Sequence, residues 1–121
     1  MRKLFLIIFS FTTVMLYAQE SPKYSASYYA YNTVRYTASG QKFNNNGLTV
    51  AHKTLKFGTK LKVTNIANNK SVIVTVNDRG PFKRTPDFKS YTRVLDLAKG
   101  AFQQIASTKS GVIKVKYEIL E

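Results

Sequence analysis

Residues 60–82 read KLKVTNIANNKSVIVTVNDRGPF, and their pattern decides the fold. Leu61 and Val63 alternate with lysines, and Val72, Val74 and Val76 recur at every second position. Side chains alternate between the two faces of a strand, so each run predicts a strand with one buried face. The ANNK between them has turn chemistry, and residues 60–77 are predicted to form a β-hairpin. Asp78 follows on the parity of the three valines. Simple alternation points its carboxyl toward the core side at the strand's end, where Gly80-Pro81 turns the chain. The chain holds six acidic residues against nineteen basic ones, so an acid at such a point asks for a reason.

The same reading extends in both directions. RVLDL, residues 93–97, is a short strand, and Ala98, Ala101, Phe102 and Ile105 fall at helical spacing, which predicts a short helix over 97–107. Ile113, Val115, Tyr117 and Ile119 share one face of a half-buried strand, with Lys114, Lys116 and Glu118 on the other. Upstream, LTVAHKTLKFGT (48–59) reads as a short strand and turn carrying His52, and TASGQKFNNNG (37–47) reads as a loop. YSASYYAYNTVRY (24–36) is either a strand or an aromatic-lined loop. Residues 80–92 read as a polar loop. About six short strands and one short helix place the chain in the all-β class, and strands this short with one buried face suggest a small closed barrel.

Residues 1–18 stand apart. Arg2 and Lys3 precede an apolar run from Leu4 to Leu16 and a small Ala18, the order of a secretory signal peptide cleaved near Ala18–Gln19. A membrane anchor is the alternative, but the run falls short of the roughly 20 residues that a spanning helix needs. One domain over 19–121 is expected. The absence of cysteine excludes thiol chemistry and a lipid-anchored lipoprotein; one histidine and no cysteine argue against a zinc or iron site, and no cofactor or metal is expected. The expected product is a monomer, secreted, periplasmic or wall-associated, without stable membrane insertion once the leader is cut. Loss of Arg2 and Lys3 lowers the net charge from +13 to +11, which favours polyanionic partners. Export directs that preference to cell-wall polymers and away from nucleic acid.

Several side chains could carry chemistry. At the rim of an apolar interior Asp78 would lose hydration, which suits a proton-donating acid; the alternative is an Asp that caps the turn through backbone N–H groups. Asp96 is either a helix-start residue or a second carboxyl facing the same cleft, and its parity pairs it with Val94. His52, the sole histidine, is a structural hydrogen-bond partner or, as the alternative, a catalytic base. Tyr28, Tyr29 and Tyr36 could stack on sugar rings or pack in the core and rim. Arg79, of opposite parity to Asp78, need not neutralise it.

ASYY (26–29), TASGQKFNNNGLTVAHKTLKFGTKLKVTN (37–65), VIVTVNDRGPF (72–82) and RVLDLAKGAFQQI (93–105) together resemble the RlpA-like double-psi β-barrel proteins, which are grouped with expansin and barwin-type barrels. The resemblance covers about residues 25–120, and AHKTLKFGT and VNDRGPF are its most specific motifs. It implies a six-stranded double-psi β-barrel with one short helix. It also implies an endolytic lytic transglycosylase that cleaves MurNAc–GlcNAc bonds of peptidoglycan glycan strands, leaves 1,6-anhydromuramyl ends and serves wall remodelling. One carboxyl can act first as acid and then as base in that reaction, unlike the carboxylate pair of ordinary glycosidases. On the matching motifs the implied catalytic residues are Asp78 and Asp96, and His52, Gln41, Tyr29 and Arg79 complete the expected substrate-binding set.

The sequence departs from the family pattern at four places. TASGQ carries Gln41 where relatives commonly have Glu; an amide keeps the shape and hydrogen bonds but transfers no proton. The KRTPDFKSYT segment after GPF is longer and adds Lys83, Arg84 and Lys89. Ala98 stands where relatives usually carry a capping Ser. Many members carry a SPOR domain after the barrel, and a single-domain member without it is expected here. Gln41 and the high positive charge favour the alternative function, a non-catalytic, expansin-like module that binds or loosens the wall.

Overall fold

Alternation along the chain resolves into β1 (Tyr24–Tyr29), β2 (Thr49–Ala51), β3 (Lys60–Asn65), β4 (Ser71–Asp78) and β5 (Arg93–Ala98). Helix α1 (Lys99–Gln103), a 3-10 turn (Thr108–Ser110) and β6 (Ile113–Leu120) follow. The computed structural model describes residues 23–80 and 93–120. The expected leader at 1–18 and the basic segment at 83–92 lie outside the described residues. The predicted hairpin is present: β3 and β4 pair antiparallel from Lys60–Thr75 to Thr64–Ser71, around a turn in which Asn69 takes a left-handed φ of 64°. Asparagine tolerates that region better than most residues.

The strands close into a barrel in the order β1-β5-β2-β4-β3-β6. β1 runs parallel to β5 and β2 parallel to β4, and the other neighbours are antiparallel. Inside sit Val50, Leu61, Val63, Val74, Val76, Leu95, Leu97 and Val115, all fully buried, with Phe102 and Ile105 contributed from the helical segment. These are the alternating apolar positions of the sequence. The barrel is the closed, six-stranded, all-β fold with one short helix that the sequence implied.

The helix is shorter than its apolar spacing predicted. Leu97 and Ala98 still belong to β5, where they pair with Tyr28 and Tyr29, so strand pairing overrides helical periodicity at that end. At the other end the Ile105 carbonyl accepts from the side-chain amides of Asn65 (2.8 Å) and Asn68 (3.0 Å), which satisfies it from the β3–β4 hairpin. Ala98 is the N-cap residue and makes no side-chain cap bond, so the helix start lacks the usual capping oxygen.

Two register shifts place the site. Between β2 and β4, Val50 faces Val76 but Ala51 faces Asp78, which leaves Asn77 as an extra residue in β4. This is a β-bulge, and it resets the alternation. Val76 keeps to the core with Val50, while Asp78 moves to the outer face with Ala51. The core-side orientation predicted for Asp78 from simple parity is thereby corrected. A second shift between Ser25 and Ala26 puts Ala26 opposite Leu95 on the inner face, and Ser27 opposite Asp96.

The start of α1 is locked against the loop before β2. The Gly100 N–H donates to the Asn45 carbonyl at 2.7 Å, and a Cβ at Gly100 would lie 2.6 Å from the Asn46 Cα. Backbone cannot yield as a side chain does, so Gly100→Ala is expected to destabilise the fold by about 1–3 kcal/mol. Thermal unfolding checks this, with the midpoint falling by roughly 4–8 °C or more.

Candidate active site

The site is built around Ala51. This residue pairs with Asp78 on one side, through β4, and with Asp96 on the other, through β5. The two aspartates thus flank one strand at one level, two strand spacings or roughly 10 Å apart in backbone. Leu95 and Leu97 are fully buried and fix the inner face of β5, so Asp96 faces outward, on the same side as Asp78. The face left open by the sequence is settled by those two leucines. Asp96 lies two residues before the helix N-cap, so it is not the capping residue.

Neighbouring strands supply the partners. The Ser27 hydroxyl on β1 donates to Asp96 Oδ1 at 2.9 Å, and the Tyr29 hydroxyl donates to Asp78 Oδ2 at 2.9 Å. Tyr29 therefore reaches from β1 across the flanking strands to the second carboxylate. Burial, then the charge and hydrogen bond of Asp78, and then the charge of Asp96 hold the Tyr29 hydroxyl well above the ordinary tyrosine range. It remains a donor at neutral pH. Its ring stacks on Phe43 (4.6 Å between centroids), and Tyr31 meets both rings edge-on.

TASGQ closes the site from the other side. Gly40, at φ 92°, permits the tight turn, in which the Gly40 N–H donates to the Thr37 carbonyl and the Thr37 N–H to that of Gln41. The turn docks on the bulge. The Ala38 N–H donates to Asp78 Oδ1 (3.0 Å) and the Ser39 N–H to the Asn77 carbonyl (3.2 Å). Asn77 Nδ2 donates to Gln41 Oε1 at 3.0 Å, while the buried Asn77 Oδ1 has no partner among the described residues. With the Arg79 N–H also donating to Oδ1 (2.9 Å), Asp78 meets three donors where an apolar rim was expected.

His52 and Arg79 serve the adjacent loop. The His52 N–H donates to the Asp78 carbonyl (3.0 Å), and its ring Nδ1 accepts from the N–H groups of Thr54 (3.1 Å) and Leu55 (3.0 Å). The Arg79 Nη1 donates to the carbonyls of His52 (3.0 Å) and Leu55 (2.8 Å), and its guanidinium carbon lies 3.9 Å from the centre of the Phe57 ring. The structure thus gathers Asp78, Asp96, Tyr29 and Gln41 on the outer face, and sets the His52 and Arg79 side chains to folding the 52–57 loop behind Asp78. Ser27, Asn77 and Phe43 were not legible as site residues. Only Asn77, beside Asp78 in the motif, carried a signal. Among the described residues no cluster of three or more His, Cys, Asp or Glu could hold a metal ion.

The barrel and its motifs have close counterparts. Residues 22–117 match the model of the lytic transglycolase family of double-psi β-barrels. The chain belongs to this family. It is similar to the endolytic peptidoglycan transglycosylase RlpA of Rickettsia felis, at 50% identity over 84 residues that make up 69% of this chain and 34% of that protein. A protein of the same name from Campylobacter jejuni shares 48% over 84 residues, 69% of this chain and 28% of that protein. The chain therefore spans about a third or less of the length of these relatives. In structure it is similar to the apo form of the Clavibacter michiganensis expansin, with a TM-score of 0.60 and 21% identity over 82% of this chain and 50% of that one. That likeness concerns the fold alone.

In this lytic transglycolase barrel, burial and then the Arg79 charge hold His52 below its ordinary value of 6.5. Its Nδ1 can accept two backbone N–H groups only in the neutral ring. A depressed histidine contributes stability that is present above the unfolded value and is lost as pH falls through the folded one. Stability is thus expected to fall on acidification from pH 7 to pH 5. Denaturant titrations of wild type and His52→Asn check it: the variant, whose side-chain oxygen can still accept, should show a flatter profile.

Proposed function

We propose that this protein is an endolytic lytic transglycosylase of peptidoglycan, with Asp78 as the acid and base. Family membership supports the reaction class, and the observation that carries the assignment is the pairing of Asp78 and Asp96 across Ala51 on the open face of the barrel. Asp78 Oδ1 is occupied by two backbone N–H groups, which leaves Oδ2, beside the Tyr29 hydroxyl, as the oxygen that exchanges a proton. In its acid form Asp78 protonates the glycosidic oxygen as the bond from muramic acid C1 breaks. The C6 hydroxyl of the same sugar then attacks C1, and its proton returns to Asp78. The product is a 1,6-anhydro end, and no water is consumed. The developing sugar cation resembles an oxocarbenium ion, and the Asp96 charge, held by Ser27, is placed to stabilise it. Tyr29, Tyr31 and Phe43 offer aromatic surface for a sugar ring next to the acid.

On this reading the leader directs export, the mature protein works in the periplasm or at the wall, and it acts as a monomer on glycan strands. No helix among the described residues is long and apolar enough to cross a membrane. One observation favours a non-catalytic wall-binding module instead: Gln41, not a carboxyl, meets the bulge beside Asp78.

Two experiments separate these readings. Digestion of purified peptidoglycan and of naked glycan should release 1,6-anhydromuramyl products detectable by mass spectrometry, and Asp78→Asn should slow this roughly 100- to 10,000-fold. Absence of product at high enzyme, or full activity in the variant, overturns the lyase reading. Gln41→Glu keeps an acceptor for Asn77 Nδ2 and should fold as wild type; its turnover is expected to rise. Unchanged turnover would remove position 41 from any proton-transfer role.

A further inference from the structure

The high positive charge is not explained by the Asp78 site, and the topology places part of it elsewhere. β3 and β6 are neighbours in the closed ring, and β3 pairs with β4 so that Thr64 meets Ser71, at the end of β4 opposite to Asp78. On these two strands Lys60 and Lys62 alternate with buried Leu61 and Val63, and Lys114 and Lys116 flank buried Val115, so all four lysines are on the outer face. Lys62 pairs with Glu118 and Lys116 with Thr64, which makes the two lysines diagonal neighbours. Lys62 directly faces the opposite charge of Glu118, and the diagonal Lys116 leaves this patch with a net positive charge.

Two of the four already have hydroxyl partners: Lys60 Nζ donates to Thr75 Oγ1 (3.0 Å) and Lys114 Nζ to Ser25 Oγ (3.2 Å). Lys62 and Lys116 instead line a cavity of about 460 Å³. Its walls add Thr64, Ser71, Asn69 and Glu118. Thr64 and Ser71 share one hydrogen bond of 2.8 Å, so further hydroxyl capacity remains for a ligand. At one side lie the tilted rings of Tyr24 and Tyr117, 4.9 Å between centroids.

We propose that this cavity, which includes Ser71 at the end of β4 opposite to Asp78, is a second binding site for an acidic polysaccharide. Two ammonium groups meet the carboxylate or phosphate of an acidic sugar. Hydroxyls, an amide and the Glu118 carboxylate match its hydroxyl groups, and the tyrosines offer a surface for its ring. Bare polyanions would use the charges alone and leave the acceptor Glu118 against them. The site lets the barrel hold an anionic matrix at the Ser71 end of β4 while the Asp78 end stays free, and it does not rest on the lyase reading.

Binding of polygalacturonate, a carboxylated polysaccharide, tests this by calorimetry at low salt. Lys62→Ser with Lys116→Ser should weaken it about tenfold, as expected for two exposed charge contacts. Lys62→Arg with Lys116→Arg should retain it, which separates lost charge from lost fold. A control pair of equal charge outside the cavity, Lys56→Ser with Lys109→Ser, should change it less than about threefold. Asp78→Asn should leave it unchanged. Equal losses in the two serine pairs would reduce the effect to net charge and overturn the proposal, as would loss of binding in Asp78→Asn. Single-stranded DNA or anionic phospholipid vesicles binding as tightly, with the same dependence on Lys62 and Lys116, would show a general anion surface and also overturn it.

Discussion

The site depends on one extra residue. Asn77 has no partner of its own in β2, and because of it Asp78 leaves the face of Val72, Val74 and Val76 and joins Ala51 outside. Without the bulge the carboxyl would enter a barrel filled by Val50, Leu61, Leu97 and their neighbours, where an ionised group has no adequate partner. With it, the same carboxyl meets two backbone N–H groups and the Tyr29 hydroxyl. The bulge also sets where TASGQ docks, since Ser39 bonds the Asn77 carbonyl and Gln41 bonds its side-chain amide.

That arrangement divides labour around the strand end. Residues before and after Asp78 are structural: Asn77 anchors the turn at 37–41, and Arg79 gathers the loop at 52–57 by bonding two of its carbonyls. Asp78 is the one member of the triplet whose side chain is bonded by β1, through the Tyr29 hydroxyl. His52 fits the same division. Its ring is spent on closing its own loop, and its backbone N–H ties that loop to Asp78. A scarce acid in a basic chain is thus held by neutral donors, and the length of β4 separates it from Lys62 and Lys116, which cluster near the Ser71 end of that strand.

Where sequence reading failed, competing interactions explain it. The helix predicted over 97–107 shrank to Lys99–Gln103 because Leu97 and Ala98 had strand partners that spacing cannot reveal. The parity argument for Asp78 failed because a bulge leaves alternation intact on both sides and shifts only the register between them. Ser27 was invisible as the partner of Asp96, since the two are 69 positions apart and meet only through parallel pairing of β1 with β5.

The sequence by itself determined the strands, the β3–β4 hairpin, the apolar face of each strand and the motifs that mark the family. Those are local properties, set by period-two alternation, turn residues and short spacings. Tertiary structure alone decided that the valine face and the aspartate part company at Asn77, that Asp78 and Asp96 share Ala51, and that Lys62 and Lys116 meet at one cavity through the pairing of β3 with β6. Such facts depend on which strands become neighbours and in what register, and register is a relation between distant segments that no single segment encodes.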